Sequence, residues 1–115
     1  MQIKIKPKDT IRNLQYDDFF YKNGELVFEI AETGNEIYDK LILIHAIIEE
    51  MLTKHAGIPE EVISNFDKNH LNVEEPGLEI DAPYRDAHLF AEGIERLICS
   101  YLKIPWKKYE EIFCA

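Results

Sequence analysis

The run Leu41-Ile42-Leu43-Ile44-His45-Ala46-Ile47-Ile48-Glu49-Glu50-Met51-Leu52 constrains this fold more than any other stretch of the chain. A segment this apolar must be covered on most sides, and its length suits a helix better than a strand. In a helix, side chains four residues apart stack on one face. His45 and Glu49 therefore form a polar island on a helix that is otherwise core. Ionisable groups in such surroundings are paired, shifted in pKa or bound to a metal.

The flanking sequence supplies the other elements. Asn35 reads as the N-cap of a helix from Glu36 to His55, with Glu36 and Asp39 in its first turn, Lys54 and His55 in its last, and Gly57 as its stop. Upstream, Gln2 to Lys6 alternates with period two until Pro7. Asp17 to Tyr21 and Glu25 to Ile30 then flank Lys22-Asn23-Gly24, which is a hairpin signature; Leu26, Phe28 and Ile30 would share one face, with Val27 opposite. Downstream, Pro59 opens a short helix to Lys68 with Val62, Ile63 and Phe66 on its apolar stripe. Asn69 to Ala82 has no periodicity and reads as a long loop turning at Pro76-Gly77. A second long helix runs from Pro83 to Lys103, and Ala87, Phe90, Ala91, Ile94, Leu97, Ile98, Tyr101 and Leu102 form its stripe. Trp106 to Phe113 makes a last short helix. The expected fold class is α+β, an N-terminal β-hairpin or small antiparallel sheet packed on two long and two short α-helices. It forms a single domain over 1–115, strand-rich over 1–32 and helical over 36–113.

A chain of 115 residues with 46% apolar content suits one globular core. No apolar run reaches the roughly 18 residues that a membrane helix needs, and Met-Gln-Ile-Lys-Ile-Lys-Pro-Lys contains no signal-peptide core. A cytoplasmic protein with no membrane association is expected. Cys99 and Cys114 lack CxxC spacing and read as reduced structural thiols. The net charge of −9 is unevenly placed, with ten acidic residues between Ile58 and Glu95 against only Lys68 and Arg85. Such a surface repels phosphates, so no nucleic-acid partner is expected. It suits a cation or a basic partner protein, or it serves solubility.

On the second long helix, His88 and Glu95 lie at the edge of the stripe, and Glu92 is one turn from His88. Antiparallel packing of the two long helices would bring each His and carboxylate to one cavity, which Asp67 could join from the end of the short helix. Imidazoles and carboxylates on facing helices are a recurrent way to hold zinc, manganese or iron. The expected metal ligands are His45, Glu49, Asp67, His88 and Glu95. The same groups also suit a buried hydrogen-bond network that fixes helix register without a metal.

Reaction-specific motifs are missing. A zincin needs His-Glu-x-x-His, whereas this chain has His45-Ala46-Ile47-Ile48-Glu49, and Ala46 cannot take a proton. Glu92-Gly93-Ile94-Glu95 is an ExxE of the kind that binds magnesium in all-helical nucleotide pyrophosphohydrolases, but Glu49-Glu50 is a poor companion cluster. Ser64 and Ser100 lack an activating context. Enzymatic turnover is therefore left open.

Several segments together resemble a family of small proteins encoded by bacteriophages and prophages. They are Asp9-Thr-Ile-Arg12, Asp17-Asp-Phe-Phe20, Leu41 to Gly57, Val62 to Asp67, Glu75-Pro-Gly77, Ala82-Pro-Tyr84, His88 with Ala91 and Glu95-Arg96, and Ile104-Pro-Trp106 with Tyr109. The resemblance implies a phage-type origin rather than a reaction. The family pattern is His-Glu-x-x-Glu where this chain has Ala46 in second place. Carried over, it implies His45, Glu49, Asp67, His88 and Glu95 as the polar site. The functional expectation is a small phage-type protein with a divalent-metal or polar site between its long helices. The alternative is a non-catalytic interaction protein whose acidic region, Glu60 to Asp86, presents a surface to a protein partner. The oligomeric state is not readable from the residues.

Overall fold

The Asn23-Gly24 pair fixes the first unit of the fold. Both residues have positive φ, 53° and 78°, which is what a two-residue type I′ turn demands. That turn folds β2 (Asp17–Lys22) antiparallel onto β3 (Glu25–Ala31). β1 (Gln2–Lys6) joins the other edge of β3 in parallel, from Gln2 opposite Val27 to Lys6 opposite Ala31. The sheet is therefore mixed, in the order β1-β3-β2: the expected hairpin is present, and β1 adds to it in parallel where a small sheet was expected to be antiparallel. Residues 7–16 reverse the chain as a hairpin loop would, but β3 inserts between the two strands they connect. As the central strand, β3 is buried from Val27 to Ala31 on both faces, so Val27 is as enclosed as Phe28. Buried Glu29 is compensated by the Lys6 ammonium at 2.6 Å and the Arg12 backbone N–H at 3.1 Å.

The computed structural model describes residues 1–73 and 75–113. Helix α1 (Glu36–His55) has the expected bounds. Asn35 Oδ1 accepts the N–H groups of Ile37 and Tyr38 at 3.0 and 3.1 Å. At the other end Ile58 N–H donates to Thr53 O at 2.9 Å and Gly57 N–H to Lys54 O at 3.1 Å, a Schellman closure with Gly57 in the left-handed region. α2 (Glu60–Lys68) follows, then a 3-10 turn at Pro76–Leu78, α3 (Arg85–Tyr101), and α4 (Trp106–Glu110) continued by a 3-10 turn at Glu111–Phe113. The end of α3 repeats the Schellman pattern, with Ile104 N–H to Cys99 O at 2.9 Å and Lys103 N–H to Ser100 O at 3.2 Å. Here the left-handed position holds Lys103, at φ 58°.

α1 packs across β2 and β3 on one side and against α3 on the other. Phe19, Phe28, Ile30, Leu41, Ile42 and Tyr109 sit in the core. The guanidinium of Arg12 ties the N-terminal segment to α2 by bonding both oxygens of buried Asp18 at 2.8 and 3.1 Å and Glu60 at 3.0 Å. Cys99 is a buried free thiol, and Cys114 lies outside the described residues. Among the described residues no helix is long and apolar enough to cross a membrane.

The stripe expected on α3 is divided between core and solvent. Ala87 and Ala91 are buried together with His88, Glu95 and Cys99, whereas Phe90, Leu97 and Tyr101 face out. At 100° per residue, the buried face is turned by roughly 75° from the centre of the apolar stripe, towards the polar side chains.

The two Schellman ends make a paired stability test. Gly57→Ala is expected to lower unfolding free energy by about 1 kcal/mol, and Lys103→Gly to raise it by up to about 1 kcal/mol. Urea unfolding measures both; equal midpoints for Gly57→Ala and wild type would contradict the cap geometry.

Candidate functional site

The polar island of α1 meets the polar side of α3. His45 lies opposite Glu95 and Glu49 opposite His88, so the two helices run antiparallel. Ala46 and Ala91, both fully buried, leave room for the larger polar side chains beside them. His45 Nε2 is 2.9 Å from Glu49 Oε2 and 3.0 Å from His88 Nδ1, and His88 Nδ1 is 2.8 Å from the same Glu49 oxygen. Three potential donor atoms thus stand at the corners of a nearly equilateral triangle. Helical i, i+4 spacing fixes the first pair, and the facing helix supplies the third atom.

The remaining ring nitrogens face further carboxylates. His45 Nδ1 meets Glu95 Oε1, and the other Glu95 oxygen accepts the Tyr109 hydroxyl at 2.5 Å. His88 Nε2 faces Glu75 at 3.4 Å and Glu92 at 3.7 Å. Glu92 Oε1 accepts from Arg96 at 3.1 Å, while its buried Oε2 has no hydrogen-bond partner among the described residues. Gly77 lets the long loop lie directly on the site, because a Cβ there would stand 2.4 Å from His88 Cγ.

Beside the triangle is a cavity of about 60 Å³, enough for a few water molecules. Asp17, Asp67 and Tyr84 also line it, and among the described lining residues there is no Lys or Arg. Asp67 Oδ1 accepts the Tyr84 hydroxyl, and Asn13 Nδ2 donates to Oδ2 at 3.4 Å.

Proximity shifts these groups strongly. Burial disfavours charge on either imidazole, yet Glu49 and Glu95 outweigh it and hold His45 well above its ordinary 6.5. Burial likewise opposes His88, but Glu49 and Glu75 raise it to about 9. Burial would raise Glu49, and the two imidazoles instead bring it down to about 2. Burial raises Asp67 to about 7 despite the Tyr84 bond. Burial, followed by the charge of Glu49, also raises Asp17 well above the carboxylate range. The surrounding carboxylates thus favour the protonated form of both imidazoles.

Of the five residues expected from sequence, His45, Glu49 and His88 converge on one point and form a group able to hold a metal ion. Glu95 sits one contact further out, behind His45. Asp67 lies in the wall of the same cavity and is engaged by Tyr84 and Asn13. Glu75, His88 and Glu92 form a second, looser group. Asp17, Glu75, Tyr84 and Tyr109 escaped the sequence reading as site residues. All four fall in resemblance segments, which was the one available signal. Asp17 reads simply as the first residue of a strand. His70, expected in a loop, follows α2, where its Nδ1 meets Phe66 O at 2.7 Å and its ring stacks on Phe66. No family model, curated protein or solved structure matches the chain.

The shifts fix the sign of the pH response without metal. His88 titrates near 6.5 when unfolded and at about 9 when folded, so its contribution is complete below pH 6.5 and lost by pH 9. The raised Asp67 acts in the same direction between 3.8 and about 7, and the lowered Glu49 matters only below 4.5. Chelator-treated protein is expected to lose thermal stability steadily from pH 6.5 to 9. A flat or rising midpoint over that window would contradict the assignment.

Proposed function

We propose that the protein holds one divalent metal ion on His45 Nε2, His88 Nδ1 and Glu49 Oε2, in a phage-type protein of the cytoplasm. The observation that carries this reading is the triangle itself. Donors around a four-coordinate zinc with bonds of about 2.0–2.1 Å stand roughly 3.3 Å apart, so separations of 2.8 to 3.0 Å need open by only a few tenths of an ångström. The outer contacts support the same reading. Metal-bound histidines usually give their second N–H to a carboxylate, and here His45 has Glu95 and His88 has Glu75.

Charge supports it as well. The imidazolium protons on the inner nitrogens carry two positive charges into the cluster, and one divalent ion replaces both without altering the total. Two imidazoles and one carboxylate with an open side are a donor set used by zinc and by non-haem iron, and manganese is compatible with it. The open side faces the small acidic cavity. There Asp67, titrating at about 7, is the group placed to exchange protons with a water molecule. A cavity without Lys or Arg favours water or a neutral or cationic ligand over a phosphate.

The second reading is a metal-free hydrogen-bond network that sets helix register. It is favoured by the fact that both imidazole contacts to Glu49 are also of hydrogen-bond length, 2.9 and 2.8 Å. Elemental analysis of protein purified without chelator separates the two. Near-stoichiometric zinc, iron or manganese is expected in the wild type and none in a His45→Ala, His88→Ala variant. Absence of metal from both, with the variant less stable, would replace the metal reading by the network.

A further inference from the structure

One nitrogen of His88 takes no part in the inner triangle. Its Nε2 faces the loop side of the ring, 3.4 Å from Glu75 Oε1 and 3.7 Å from Glu92 Oε2. One donor atom from each of these three side chains lies within 4.8 Å of the other two. Two elements build the group. His88 and Glu92 share a face of α3 at i, i+4 spacing, and Glu75 comes from the loop that Gly77 seats against the His88 ring.

Glu92 separates this group from an ordinary cluster of surface acids. Its Oε2 is buried and, among the described residues, has no hydrogen-bond partner. Arg96 engages only the other oxygen, and 3.7 Å to His88 Nε2 is beyond hydrogen-bond reach. The side chains of Glu75 and Glu92 are only 20% and 13% exposed, so water compensates them little. A buried carboxylate oxygen left in this state calls for a counter-ion. The separations of 3.4 and 3.7 Å need close by only a few tenths of an ångström. They then match the roughly 3.3 Å between donors around a four-coordinate ion.

We infer that His88 Nε2, Glu75 Oε1 and Glu92 Oε2 form a second, weaker divalent-cation site, with the His88 ring bridging two ions. The bridge rests on the metal reading of His45, Glu49 and His88; the outer donors stand without it. With one ion bound, Nε2 carries a proton directed at Glu75. The second ion takes the electron pair of that nitrogen, and the proton leaves to solvent. The imidazolate so formed and the two carboxylates compensate the added charge. Repulsion from the first ion and from Arg96 makes the second the weaker, so the first equivalent fills the inner site alone. Two oxygens to one nitrogen make the outer donor set harder than the inner one, which suits manganese.

Chelator-treated full chain, given one equivalent of zinc and then titrated with manganese(II) up to about 1 mM, tests this. Zinc outcompetes manganese at the inner donors and is silent in electron paramagnetic resonance, which counts the manganese left free. One manganese is expected to bind per zinc-loaded chain, with the zinc retained. Glu75→Gln and Glu92→Gln are each expected to weaken manganese binding by about tenfold or more, again with zinc retained. Glu61→Gln, an exposed acid on α2, should leave it unchanged, and circular dichroism checks that every variant is folded. Zinc retained without manganese uptake would overturn the inference and leave the inner site standing. So would uptake indifferent to Glu75→Gln and Glu92→Gln. Manganese bound by a chain that retains no zinc, and lost on Glu92→Gln, would uphold the outer site and remove the inner one.

Discussion

The imidazole of His45 joins the two long helices. One ring nitrogen meets Glu95 and the other meets Glu49 and His88, so the contact between α1 and α3 is centred on charge rather than on interlocking apolar side chains. Removing one partner from such a buried group leaves an uncompensated charge, which typically costs about 3–5 kcal/mol. The rest of the packing accommodates this junction. Alanines occupy positions 46, 87 and 91 beside it, the loop carrying Glu75 and Gly77 closes over it, and Tyr109 arrives from α4 to satisfy Glu95. The rotation of α3 is part of the same arrangement: His88 and Glu95 turn inward, and Phe90, Leu97 and Tyr101 consequently turn out.

Elements governed by local chemistry were legible in the sequence. α1 could be bounded by its Asn35 cap and Gly57 stop, and the β2–β3 hairpin by Asn23-Gly24, because each of these residues acts on its own neighbours. Non-local features were harder. Nothing in Gln2 to Lys6 indicates that β3 will insert beside it and make the pairing parallel. Hydrophobic periodicity also misplaced the inward face of α3, because it cannot register that a histidine and a glutamate are drawn in by partners on another helix.

Legibility of the site followed contrast. His45 and Glu49 stand out against isoleucine and leucine, and His88 and Glu95 border an apolar stripe. Asp17 opens an ordinary strand, and Glu75 sits in a segment already crowded with acids, so neither differs from its surroundings. Part of the acidity that suggested a solvated surface is instead directed inward, since Asp67, Glu75, Glu92 and Glu95 all line the cavity. The charges of Glu49, Glu75 and Glu95 favour protons on the two imidazoles, and a divalent cation bound at the same point would compete with those protons.

That competition gives the most direct measurement. Calorimetric titration of the chelator-treated protein with zinc at pH 7, repeated in buffers of different ionisation enthalpy, counts the protons released per ion bound. The expected result is one ion per chain with the release of about two protons, one from each imidazole. No binding, or binding without proton release, would mean that the metal does not occupy the point where His45 and His88 meet.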